Sequence, residues 1–131
     1  VLSQGLLSFR NALSELGMFE HVTTFTASEF GRSLTSNGSG SDHGWGGHQI
    51  VMGGGIQGAQ VYGHYPELSS LNPLNIGQGV YAPTTSNDQY FAELVLWLGV
   101  PISKIGYVLP NLQAFNSRLN KGANLGFLSN S

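Results

Sequence analysis

The chain has 131 residues, a net charge of −2 and only 9% charged side chains, against roughly 25% in an ordinary globular domain. That length allows one domain with a real core, while five scattered Lys and Arg form no basic patch and argue against a nucleic-acid partner. Cysteine is absent, so there is no disulfide framework, and no apolar run approaches the roughly 18 residues of a membrane span.

The chain opens on Val1 and runs directly into a helical pattern, with no visible signal peptide. This points to a processed form or a piece of something longer. Leu2, Leu6, Phe9, Leu13 and Leu16 recur at steps of three or four, one face of an amphipathic helix that Gly17 stops. Residues 22–27 are rich in β-branched side chains and read as a strand. Residues 28–47, rich in Ser, Gly and Asn, read as a long loop, and loops of that length in a compact domain carry function or disorder. Residues 49–52 read as a second, short buried strand and 60–62 as a third. Three prolines and no clear period make 66–84 irregular. Ser86 with Gln89 forms a capping box. It opens a helix carrying Phe91, Leu94, Val95 and Leu98, ended by Gly99 and Pro101. The apolar run 107–109 is ambiguous. The tail from 116 onward reads as loose, except for Leu125, Phe127 and Leu128, which dock on the body. No internal repeat is present.

The densest chemistry lies in Ser41-Asp42-His43-Gly44-Trp45-Gly46-Gly47-His48. Asp and His bind divalent metals or move protons, and glycine lets backbone approach a ligand closely. Each residue also has a structural reading. Asp42 caps a turn as readily as it holds a metal, and His43 serves equally as a hydrogen-bonded structural residue. For His48, beside a buried strand, the structural reading is favoured. Glu29 and Arg32 form an ion pair, or Arg32 clamps a sulfate or phosphate with its planar fork. Trp45 is a sugar-stacking platform or, the favoured reading, a buried anchor for the loop. Gly53-Gly54-Gly55 lacks the spacing of a phosphate-binding fingerprint, and Ser28 lacks a nucleophile elbow. Helix, strand, loop, strand is the half-unit of an open α/β sheet, in which ligands sit at the carboxyl ends of strands. Asp42 and His43 are therefore expected beside Glu29 and Arg32, with the Asp42 carboxylate orienting the imidazole.

Residues 24–32 (Thr-Phe-Thr-Ala-Ser-Glu-Phe-Gly-Arg), Ser36-Asn37-Gly38, residues 41–46, Met52-Gly53-Gly54, residues 60–63, residues 83–90 and residues 109–112 together resemble a bacterial family, the domain of unknown function 1501. The chain corresponds to the C-terminal third of such proteins. That family is similar to the sulfatase and alkaline phosphatase superfamily, which implies the C-terminal portion of an open α/β sheet with flanking helices and long loops. It also implies a metal-dependent hydrolase of sulfate or phosphate esters, holding Zn, Ca, Mn or Mg. The superfamily's strand-end Asp-His metal pair falls on Glu29 and Phe30, and Phe30 cannot bind metal. Its later metal His falls on His43, with His48 the second choice. The metal set implied is thus His43, Asp42 and Glu29, with Arg32, His48 and Trp45 toward substrate. The nucleophile is not in this chain, so no catalytic residue is assigned. Activity is expected to need the missing N-terminal part or another chain. The resemblance further implies export, to the periplasm or beyond. The alternative is a non-catalytic exported protein that keeps the scaffold for binding or assembly.

Overall fold

The computed structural model describes residues 1–115 and 125–128. They form two units. One holds Val1–Ala27, Gln49–Gln60 and the described residues 127–128. The other holds Ser28–His48 and the described residues 61–115 and 125–126.

The first unit opens with helix α1, Leu2–Glu15. Gly17 adopts a left-handed φ of 67°. The Gly17 N–H donates to Ser14 O and the Met18 N–H to Leu13 O, at 3.1 and 2.8 Å. These are the two bonds of a Schellman ending, which satisfy carbonyls the helix leaves open. Of the apolar stripe only Leu13 is buried, at 7% exposure, while Leu2, Phe9 and Leu16 face solvent. Strand β1, Thr23–Phe25, follows a 3-10 turn at Phe19–His21. The two strands read on either side of the 28–47 segment pair with each other. Thr23, Thr24 and Phe25 lie opposite Gly53, Met52 and Val51 in an antiparallel register. Thr26 extends the pairing, because its N–H donates to Ile50 O and its hydroxyl accepts from the Ile50 N–H. Phe127 is buried at 2% exposure, Leu128 bridges Ile56, and the Gln57 N–H donates to Phe127 O. The docking expected of Phe127 and Leu128 is thus found.

In the second unit the expected long loop is replaced by a β-hairpin. Strands β2, Gly31–Ser36, and β3, Ser41–Gly44, run antiparallel. Asn37-Gly38-Ser39-Gly40 turns the chain between them. Gly38 takes a φ of 91°, Asn37 N–H donates to Gly40 O, and Asn37 Oδ1 accepts from the Ser39 N–H. An Asn-Gly turn between alternating strands is the strongest short-range hairpin signal, and the Gly and Ser around it disguised the strands as loop. The last named strand of the chain, Val51–Gly53, partner of β1 in the first unit, is β4. Residues 60–62, read as a third strand, are not in strand conformation.

Helix α2, Asn87–Trp97, begins at the expected capping box. Ser86 Oγ accepts from the Gln89 N–H, and the Ser86 N–H donates to Gln89 Oε1. It ends, like α1, on a left-handed glycine, Gly99, with the Val100 N–H donating to Val95 O. The ambiguous run 107–109 is the end of a short helix, α3, Ile105–Val108, and α4, Leu112–Phe115, follows. Ala92, Ile105 and Leu112 form the core of this unit, with Val95, Leu96 and Leu109 packed against them. Glu93, buried on α2, accepts from the Gly126 N–H. The class is mixed α/β, and among the described residues the named strands form two small antiparallel sheets.

Candidate oxyanion-binding hairpin

The hairpin of β2 and β3 exists because two backbones touch where side chains would not fit. A Cβ on Gly31 would overlap the Gly46 carbonyl oxygen, and one on Gly44 would stand 3.0 Å from the carbonyl carbon of Arg32. This contact sets the register Gly31↔Gly44 and Arg32↔His43. Residues directly opposite in an antiparallel pair share a face, so the guanidinium and the imidazole stand side by side. Both are exposed.

Phe30, two residues before Arg32, completes this face. Its ring stacks on His43 with centroids 3.7 Å apart and planes 14° from parallel. The Arg32 guanidinium carbon lies 5.3 Å from the same ring, a favourable cation–π placement. Arg32 Nη1 donates to Ser41 O at 2.9 Å, which fixes one end of the fork and leaves its other N–H groups for a ligand. Phe30 stands where the resemblance implies a metal-binding His, and here it serves as the plate on which His43 and Arg32 rest.

Asp42 does not join them. Successive residues of a strand point to opposite faces, and Asp42 precedes His43 in β3. Its carboxylate accepts from Asn37 Nδ2 at 2.8 Å, and its N–H donates to the buried Ser33 hydroxyl. Asp42 therefore braces the turn, and the expectation that it orients His43 fails for this reason. Glu29 is exposed. Of the two readings of Arg32, the ion pair with Glu29 is not formed among the described residues; the guanidinium turns to Ser41 and Phe30. His48 is exposed and stacks on Tyr65, ring centroids 5.1 Å apart. Trp45 is 70% exposed, so the buried-anchor reading gives way.

The sequence reasoning missed Phe30 and Asn37. Alternation would have found Phe30, since residues i and i+2 of a strand share a face. The Asn-Gly pair would have found the turn. Among the described residues no three His, Asp or Glu gather in a way that could hold a metal ion.

No curated protein and no solved structure matches the chain. The model of the protein family of unknown function DUF1501 matches residues 1–91, a span that includes the whole hairpin and every residue of its exposed face. The chain thus belongs to the DUF1501 family.

Proposed function

We propose that this chain supplies the oxyanion-receiving part of a sulfatase-like hydrolase of sulfate or phosphate esters. One observation carries the reading: the cross-strand pair Arg32↔His43 sets two nitrogen-donor side chains side by side on one exposed face. A guanidinium fork matches the planar spread of two oxyanion oxygens, and an imidazole N–H beside it reaches a third. Phe30 holds both by stacking, so little side-chain freedom is lost when an anion arrives. Donors fixed in advance of the charge they meet are worth more than mobile ones.

The divalent metal that the resemblance implies does not fit this face. Asp42 lies on the opposite side of β3 and serves Asn37, and the described residues bring no third donor to His43. The ligands of such a metal would come from outside the hairpin. The nucleophile likewise comes from another part of the protein or another chain, and the family resemblance favours an exported setting. A second reading, a non-catalytic exported binding protein on the same scaffold, is favoured by the exposure of Trp45.

Titration of the chain with sulfate and with inorganic phosphate, followed by 1H–15N NMR, tests the proposal. Shifts are expected at Arg32, His43 and Ser41, saturating in the millimolar range, about −4 kcal/mol. Arg32→Ala should weaken binding about tenfold, as expected for a hydrogen bond to a charged group. Equal binding by wild type and Arg32→Ala would overturn the reading.

A further inference from the structure

We infer that α1 is a self-association element, the helix by which one copy of this chain pairs with a second copy in an antiparallel two-helix contact. The inference rests on the first unit alone and does not need the oxyanion reading.

The argument starts from spacing. Leu2, Leu6, Phe9, Leu13 and Leu16 follow one another at steps of four, three, four and three. That average of 3.5 residues is the repeat of a helix that packs along a second helix. It is narrower than the broad apolar stripe of a helix lying on its own core. The structure leaves most of this seam uncovered. Leu13 is buried and Leu6 half-buried, whereas Leu2 is 59%, Phe9 45% and Leu16 73% exposed. These three stand seven residues apart and so form one line along α1, with Leu16 still in helical conformation at the C-cap.

The seam selects its occupant. A 3.5-residue repeat fits another helix, and among the described residues α1 is the helix that presents one. Helix α2 buries Tyr90, Ala92 and Leu94, and α3 and α4 have four residues each. The exposed line is also its own complement. It is symmetric about Phe9, so a two-fold axis there sets Leu2 against Leu16 of the partner subunit and Phe9 against Phe9 of the partner subunit. This is the isologous contact of a C2 dimer. Charge agrees with it. Arg10 and Glu15 are the only charged side chains of α1, and neither lies on the line. Arg10 already rests over the ring of its own Phe19, 5.5 Å from the centroid. A strongly charged partner helix would find no counter-charge on this face, while an antiparallel copy sets opposite helix-dipole ends together. The 14 residues of α1 span about 21 Å. A contact along that length buries on the order of 1,000 Å² in total, the low end for a specific interface, so the dimer is a reversible one.

The test is sedimentation velocity of the 131-residue chain over a concentration series reaching about 1 mM. The wild type should pass from monomer to dimer, with a dissociation constant on the order of 10–100 μM. Phe9→Lys and Leu16→Lys, each checked for folding by circular dichroism, should weaken association at least about tenfold. Leu7→Lys is the control. Leu7 is 55% exposed but lies about 200° round the helix from Phe9, so this variant should dimerise as wild type does. The chain has no cysteine, so single cysteines report the direction of pairing. An oxidised mixture of Leu2→Cys and Leu16→Cys chains should give mainly the mixed disulfide, and Leu2→Cys alone should give little. The inference is overturned if the wild type stays monomeric throughout, or if both lysine variants on the line associate as wild type does. It is equally overturned if Leu7→Lys weakens the dimer as much as they do, or if Leu2→Cys links to itself as readily as to Leu16→Cys.

Discussion

Replacing Gly31 by Ala probes the contact on which the whole hairpin depends. The new methyl would overlap the Gly46 carbonyl oxygen and approach Gly46 N at 3.3 Å. The obstacle is backbone, not the end of a flexible side chain, so no rotamer change relieves it. One strand or the other must shift by an ångström or more. That shift strains Gly31↔Gly44 and the neighbouring Arg32↔His43 pair. Overpacking of this kind costs about 1–3 kcal/mol, and a backbone obstacle places Gly31→Ala at about 3. For a chain of this length each kcal/mol moves the unfolding midpoint by roughly 3–5 °C, so a loss of about 10 °C is expected. Urea unfolding should show a lower midpoint at unchanged m, since the exposed area on unfolding is the same. Sulfate binding should weaken in parallel, because the guanidinium and imidazole lose their register. If Gly31→Ala unfolds within about 0.5 kcal/mol of wild type, the ordinary range for surface substitutions, the close approach does not govern the hairpin and the reasoning is refuted.

Other substitutions test the rest of the construction. Gly5→Ala lies inside α1 with open space where the methyl would go, so it should stabilise by about 0.5–1 kcal/mol, read as a higher urea midpoint. Ser86→Ala removes the Oγ that accepts from the Gln89 N–H and leaves the backbone bond from the Ser86 N–H to Gln89 Oε1, so it should cost about 1 kcal/mol by the same measurement. Burial raises the Tyr90 phenol above its ordinary pKa of 10.0. The folded chain therefore holds that proton more tightly than the unfolded chain. The associated stability is intact below about pH 10 and falls as the pH rises beyond it. A denaturation series from pH 9 to 11.5 should show this decline, and Tyr90→Phe should flatten it.

The helices and their ends were legible because their signals are local. Gly17, Gly99 and the Ser86–Gln89 box each act within one turn, and each does what its residue type dictates. Strands β1 and β4 were legible as strands but not as partners, since twenty-five residues separate Phe25 from Val51 and no local feature records the pairing. The hairpin was hidden for a different reason. Composition pointed to loop, while the Asn37-Gly38 pair and the polar alternation around it specified strands, and the specific pattern prevailed. At the site, Asp42 and His43 looked like a team because they are adjacent in sequence. In a strand adjacency separates side chains, and the true partners, Arg32 and Phe30, lie across the hairpin and one step beyond it. The exposure of Trp45 was not legible at all, because it follows from where Gly44 and Gly46 pack.

The turn at Asn37 also governs how this protein ages. An asparagine followed by glycine is prone to cyclise, the glycine nitrogen attacking the side-chain amide carbon with loss of ammonia, because glycine leaves that approach open. In the folded hairpin both ends of the Asn37 amide are engaged, by Asp42 Oδ1 and the Ser39 N–H, and the Gly38 N–H is held by Ser36 Oγ. The attacking nitrogen and its target are thus kept apart for as long as the hairpin stays closed. Ammonia is lost only in the fraction of time the turn opens. Aspartate and isoaspartate should therefore form slowly at position 37, at a rate that follows the openings of the turn that links the two strands bearing Arg32 and His43.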